Sequence, residues 1–269
     1  MNYEKIALEV SELCREDAHY IREQGRLLRT SDIEVKAEHN FVTYIDRHSE
    51  EMLVEGLSRI LPEAGFLAEE ASYGKEDAQL RWIIDPLDGT TNFIHGIPFF
   101  CISIALVDGN EPLAGVVFEV NREECFYTWK GGPAMLNGRP IKVSASPTLK
   151  DSLLVTGFPY LRDHILDEYT DLFKEFIKRT QDLRRLGSAS ADLAYVAAGR
   201  FEGFYEYGLS PWDVAAGAFL VQQAGGKVTD FNGGDDYLFG GSLVSSNHRI
   251  HSEMLDVVRE YFLSKKKNS

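Results

Sequence analysis

Arg81-Trp82-Ile83-Ile84-Asp85-Pro86-Leu87-Asp88-Gly89-Thr90-Thr91-Asn92-Phe93 is the stretch around which this 269-residue chain is organised. Its apolar run, ending at Asp85, predicts a buried strand closed by a turn. Two carboxylates, Asp85 and Asp88, stand three residues apart at the end of that strand, and Pro86 fixes φ between them. Gly89 permits close backbone approach, and Thr90-Thr91-Asn92 predicts the capped start of a helical turn. Carboxylates beside free backbone N–H groups suit a metal ion bridged to a phosphate. Taken alone, the pair could equally be an acidic turn.

Upstream, Ile6, Val10, Leu13, Cys14, Ala18 and Ile21 recur at helical spacing, so the first ~25 residues predict an amphipathic helix. A polar segment then reaches Lys36. Asn40 to Asp46 leads into a second helix continuing to about Leu61, ended by Pro62 and Gly65. Phe66-Leu67-Ala68 predicts a short strand that ends at Glu69-Glu70, with Glu70 turned away from Glu69 by alternation. Downstream, Cys101 to Val107 and Leu113 to Val120 are β-rich runs joined by Asp108-Gly109-Asn110, a hairpin signal. Glu124 to Trp129 adds a strand, and Asn137-Gly138 turns the chain into Ile141-Lys142-Val143.

The second half alternates strands and helices. Strands are predicted at Leu153 to Thr156, Leu183 to Leu186, Phe201 to Tyr207, Lys227 to Thr229 and Ser242 to Ser245. Helices are predicted at Ile165 to Lys178, Ser190 to Ala198, Pro211 to Ala224 and Ile250 to Phe262. Such alternation indicates an α/β second half after an α+β first half. The division falls at residues 1–145 and 146–269, packed as one compact unit with the site between them. Asp213 opens one of these helices within Pro211-Trp212-Asp213-Val214-Ala215-Ala216-Gly217. By itself it could be no more than a helix cap.

Asp85-Pro86-Leu87-Asp88-Gly89-Thr90 resembles the metal-binding motif Asp-Pro-x-Asp-Gly-Thr of the inositol monophosphatase family. The Asp213 segment resembles that family's second motif, and Glu69-Glu70 precedes both in the family's order. The resemblance covers nearly the whole chain. It implies a five-layer α-β-α-β-α sandwich of the inositol monophosphatase and fructose-1,6-bisphosphatase type. It also implies Mg²⁺, two or three ions, held by Glu69, Asp85, the Leu87 carbonyl, Asp88 and Asp213. Hard oxygen ligands without histidine favour Mg²⁺ over zinc. By the same resemblance Thr90 and Asp46, with Glu69, position and deprotonate the attacking water, and Lys36 lies near the water and the third metal. The backbone N–H groups of Gly89 and Thr90, extended by Thr91, are expected on phosphate oxygens. Asp88, Asp213, Ala189 (in the loop Gly187-Ser188-Ala189) and Glu206 are expected to bind the substrate, the last two at its hydroxyls. Glu206 is read as a charged acceptor for polyol hydroxyls. Ser210 stands where animal relatives have histidine, and Gly157-Phe158-Pro159 resembles the bacterial branch. Arg184, Arg185 and His95 are left outside the site.

The implied activity is Mg²⁺-dependent hydrolysis of small phosphate monoesters, inositol monophosphate first. The resemblance also implies sensitivity to lithium and a homodimer. Rival substrates are 3′-phosphoadenosine 5′-phosphate, sugar bisphosphates such as fructose 1,6-bisphosphate, and histidinol phosphate. A rival of another class is a partner of the transcription machinery, a role some bacterial relatives have. The formal net charge of −14 argues against direct nucleic-acid or anionic-membrane binding. It does not exclude an anionic substrate, because bound cations reverse the local sign. Cys14, Cys101 and Cys125 lack ligand spacing and sit in apolar runs, which predicts buried, reduced thiols and a cytoplasmic setting. No signal peptide or membrane-spanning run is visible, and Lys265-Lys266-Lys267 reads as a solvated end.

Overall fold

The computed structural model describes residues 1–29, 32–37, 40–74, 78–159 and 165–263, with the backbone alone for 35–37, 40 and 41. The chain opens with α1 (Tyr3–Gly25), whose Ile6, Val10, Cys14, Ala18 and Ile21 form the predicted buried stripe. The segment after it holds a hairpin, β1 (Ile33–Ala37) and β2 (Asn40–Thr43). Reading that region as a polar linker overlooks the period-two alternation of Ile33-Glu34-Val35-Lys36-Ala37. Next comes α2 (Tyr44–Ile60), started by a capping box between Thr43 and Asp46.

A seven-stranded sheet follows: β3 (Gly65–Ala68), β4 (Leu80–Asp88), β5 (Cys101–Asp108), β6 (Glu111–Glu119), β7 (Glu124–Trp129), β8 (Met135–Leu136) and β9 (Arg139–Pro140), in that spatial order. A short helix, α3 (Thr90–Ile94), sits between β4 and β5. β3 and β4 are parallel and the remaining pairs antiparallel. β4 does not stop at Asp85. It runs through Pro86 to Asp88, with a register irregularity between Asp85 (opposite Ser103) and Asp88 (opposite Cys101). A bulge is where a strand tolerates a residue that cannot donate to the ladder. The third turn also differs from expectation. Asn137 and Gly138, at φ of 47° and 78°, join the two-residue strands β8 and β9, and Ile141-Lys142-Val143 lies outside the sheet. Two consecutive residues with positive φ match the twist of a tight hairpin.

The second half contains β10 (Leu153–Thr156), α4 (Leu166–Arg179), β11 (Asp182–Arg184), α5 (Ala189–Ala197), β12 (Gly203–Tyr207), α6 (Pro211–Gln223), β13 (Lys227–Thr229), β14 (Ser242–Ser246) and α7 (His251–Val258). The predicted Leu183 to Leu186 strand is thus earlier and shorter. The last helix passes into a π-helical turn at Arg259–Leu263. The five strands lie in the order β11-β10-β12-β14-β13, with β14 antiparallel to both neighbours.

The layers run α1/α2, seven-stranded sheet, α5/α6, five-stranded sheet, α4/α7. Both faces of the first sheet are covered, so its strands read as continuous apolar runs. Within β4, Trp82 and Ile84 face α1/α2 while Ile83 faces α5/α6. Asp85 shares the parity of Ile83, which turns it toward the helix that carries Asp213. The middle cluster takes Ile83, Cys101 and Phe126 from the first sheet and Leu193, Val214 and Leu220 from α5 and α6.

Candidate active site

At the end of β4, carboxylate oxygens of Asp85, Asp88 and Asp213 converge to within 4.8 Å of one another. Asp85 is fully buried, and its Oδ1 accepts the Leu87 amide at 2.9 Å, closing a turn over Pro86. Asp88 Oδ2 accepts the Ser190 amide at 2.7 Å and the Ser188 hydroxyl at 2.9 Å, so the start of α5 grips it. Asp213 combines both roles that the sequence left open. Its Oδ2 accepts the Ser210 amide at 2.7 Å as a helix cap, and it also belongs to the acidic trio. Burial is the main reason that all three carboxyls are raised above the usual carboxylate range. For Asp85 and Asp213 neighbouring carboxylates, Glu69 among them, push further in the same direction. Glu69 lies one residue beyond β3, just past the end of its pairing with β4 at Ala68 and Ile84. Three hard anionic oxygens gathered in a buried pocket repel one another, and a divalent cation offsets that cost. The residues therefore fit a divalent metal ion, with Glu69 close enough to act on Asp85 and Asp213.

Gly89 turns the chain at φ 103°, and a β-carbon there would meet Phe99 O at 3.2 Å and Gly187 O at 3.3 Å. Glycine is required by both conformation and space. It caps α3 in place of a hydroxyl, which leaves Thr90 free for another role. Thr90 Oγ1 lies 3.2 Å from Asp46 Oδ1 and 3.0 Å from the Leu87 carbonyl. The other oxygen of Asp46 accepts the Thr43 amide at 2.9 Å and its hydroxyl at 2.6 Å. Asp46 is buried, and burial raises its carboxyl above the ordinary value despite these donors. On the opposite wall Glu206, at the end of β12, is 7% exposed. Burial pushes its carboxyl up to about 8; Arg185 opposes the rise and Asp88 adds to it. Burial thus disfavours the charged form of Glu206. Gly157 packs against it so closely that a β-carbon would lie 2.1 Å from the carboxyl atoms.

The sequence profile of the inositol monophosphatase family matches residues 3–262. The chain belongs to the inositol monophosphatase family. The inositol-1-monophosphatase of Mesorhizobium japonicum is 43% identical over 230 residues, covering 85% of this chain and 86% of the relative. The Nus factor SuhB of Pseudomonas aeruginosa is 43% identical over 227 residues, covering 82% and 84%. Among solved structures, the inositol monophosphatase from Anabaena (Nostoc) superposes with a TM-score of 0.88 at 36% identity, over 98% of this chain and all of that one. Family membership fixes the five-layer fold and a phosphatase ancestry.

In this inositol monophosphatase family member, Asp46, Glu69, Asp85, Leu87, Asp88, Gly89, Thr90 and Asp213 gather in one region. Ala189 joins them through its amide, which hydrogen-bonds Asp88. Thr91 and His95 are exposed on and just after α3. Lys36 lies in β1, but its side chain is outside the described residues, as are Lys265, Lys266 and Lys267. Sequence reasoning missed Ser188 and Ser190, whose pattern before an apolar run signals a helix start but not a grip on Asp88. It also missed Asn92, whose Nδ2 donates to Phe99 O at 2.8 Å and Leu186 O at 2.7 Å, tying the two walls together.

Proposed function

We propose that this chain is a Mg²⁺-dependent phosphatase of small phosphate monoesters, with inositol monophosphate as the leading substrate. The observation that carries this reading is the convergence of the Asp85, Asp88 and Asp213 oxygens beside Thr90 and Asp46. Bound Mg²⁺, two or three ions on these aspartates, Glu69 and the Leu87 carbonyl, would supply Lewis-acid stabilisation of the phosphoryl group. Thr90 would orient the attacking water and accept its proton while its own passes to Asp46, whose burial raises its proton affinity. The amides of Gly89, Thr90 and Thr91 would hold phosphate oxygens. Lys36 would add positive charge near the water. Ala189, Glu206 and the rim of Asp88 and Asp213 would face the alcohol. No covalent nucleophile is needed, because positioning and charge neutralisation supply most of the catalysis of phosphoryl transfer.

The deciding experiment is phosphate release from inositol monophosphate, fructose 1,6-bisphosphate, 3′-phosphoadenosine 5′-phosphate and histidinol phosphate, with and without Mg²⁺. Preference for any of the last three would move the substrate assignment; no Mg²⁺-dependent release from any would sink the enzyme reading. Glu206 tests the alcohol subsite. Glu206→Leu should lower kcat/KM for inositol monophosphate about tenfold, the worth of one to two hydrogen bonds, and spare an aryl phosphate. Equal losses of Glu206→Leu on both substrates would instead assign Glu206 to support of the metal site. Li⁺ should inhibit at saturating substrate relative to matched Na⁺, because it seeks the same oxygens with half the charge; equal rates in the two salts would contradict this.

A second reading is supported by the name of the Pseudomonas aeruginosa relative, a Nus factor. The chain would then also bind the transcription machinery, and Asp88→Asn should leave capture of that partner from lysate intact while sharply lowering turnover. Three free cysteines support a cytoplasmic setting. A homodimer and the joint action of halves 1–145 and 146–269 complete the proposal; light scattering in solution tests the former.

A further inference from the structure

Among the described residues, Glu50 is a carboxylate of 0% exposure that no step above uses. It lies on α2 one turn after Asp46, so the two acids project from the same face of the helix. Asp46 reaches the Leu87–Thr90 turn. Glu50 reaches the other loop of the site: its Oε2 accepts the Glu70 amide and its Oε1 the Ala71 amide, each at 2.8 Å. The Tyr73 side chain hydrogen-bonds to it as well. The position of these contacts matters. The β3–β4 ladder ends at Ala68 opposite Ile84, so the sheet itself does not fix Glu69. The residues that follow are held by a side chain, not by strand pairing. Burying a carboxylate near Glu70 is costly, and its donors are backbone groups that no neutral side chain of that size could accept twice in this way.

We propose that Glu50 is a positioning residue, whose carboxylate clamps the Glu70 and Ala71 amides so that Glu69 is presented to the aspartate trio. The proposal rests on the reading of that trio as a Mg²⁺ site. α2 then fixes both loops of the site, one through Asp46 and one through Glu50. A purely structural role would lower stability without changing metal affinity. The positioning role changes affinity first, as partners of ligand-bearing loops generally do.

The test measures Mg²⁺ binding by calorimetry, together with the Mg²⁺ dependence of phosphate release, for wild type, Glu50→Gln and Glu50→Ala. Glu55→Gln, on the solvent side of α2, controls for loss of one charge. Mg²⁺ affinity should fall about tenfold in Glu50→Gln, where an amide group faces a backbone N–H, and further in Glu50→Ala. Turnover in Glu50→Gln should recover at saturating Mg²⁺. Hydrogen exchange should quicken at the Glu70 and Ala71 amides while the amides of α2 stay protected. If Glu50→Ala does not fold, Glu50→Gln decides. Wild-type Mg²⁺ affinity in Glu50→Gln, or a loss matched by Glu55→Gln, overturns the positioning role. Absence of Mg²⁺ binding in the wild type would instead overturn the functional reading beneath it.

Discussion

Asp88→Asn should lower kcat by on the order of 10²–10³-fold at saturating Mg²⁺, the usual worth of one preorganised electrostatic contact at such a site. The geometry explains why so small a change should matter. The amide oxygen can keep the Ser190 amide and Ser188 hydroxyl, both of which Asp88 Oδ2 now accepts. The amide nitrogen must then face the trio, where it offers hydrogens and no lone pair. The fold should not suffer. Asp88 is one of three carboxylates that crowd within 4.8 Å, so removing its charge relieves repulsion when no cation is bound. Thermal melts in chelator should show the variant at least as stable as wild type. Turnover near the wild-type value would remove Asp88 from the chemistry, and a lower melting temperature in chelator would contradict the repulsion argument.

The second large effect concerns stability. Asp17 on α1 is fully buried against α2; Ser49 Oγ donates to its Oδ2, and Oδ1 has no hydrogen-bond partner among the described residues. Burial pushes this carboxyl up to about 7, with Ser49 only partly opposing the rise. In the unfolded chain it titrates near ~3.9. Between about pH 4 and this folded value of about 7 the native state holds a proton that the unfolded state has lost, so stability falls as pH rises through that window. Above it both states are ionised and the loss is complete. Three units correspond to on the order of 4 kcal/mol. Asp17→Asn cannot ionise, so it should gain on wild type progressively across the window and hold that gain at higher pH. Urea unfolding of both proteins at a series of pH values, with excess Mg²⁺ to keep the aspartate trio constant, measures the difference. A difference that does not change with pH would show that Asp17 ionises in the fold without cost.

Much of the architecture was legible in local sequence because local physics decides it. The stripe from Ile6 to Ile21 has no alternative to a helix against a core, and Asp108-Gly109-Asn110 between two apolar runs has little alternative to a hairpin. The order Glu69, Asp85, Asp88, Asp213 was likewise readable, because each acid ends or begins an element. Less legible was anything that depends on what packs nearby. β4 runs past Asp85 because its irregularity absorbs Pro86, a matter of pairing with β5. Ile141-Lys142-Val143 has a strand's composition but follows a turn that is already used by β8 and β9.

The sequence by itself determined which residues carry charge, which elements form, and that the acids stand at element ends. Only the tertiary structure decided how they meet. Residue parity along β4 sets Asp85 toward α6, and packing of α6 across the first sheet brings Asp213 to it over a separation of more than a hundred residues. Burial, which is a property of the assembled layers, raised the carboxyls of Glu206 and Asp17, and turned Glu50 from one acid among many on α2 into a clamp on the loop of Glu69. Desolvation acts only once the chain has closed around a group, so no local reading of the sequence could assign those shifts.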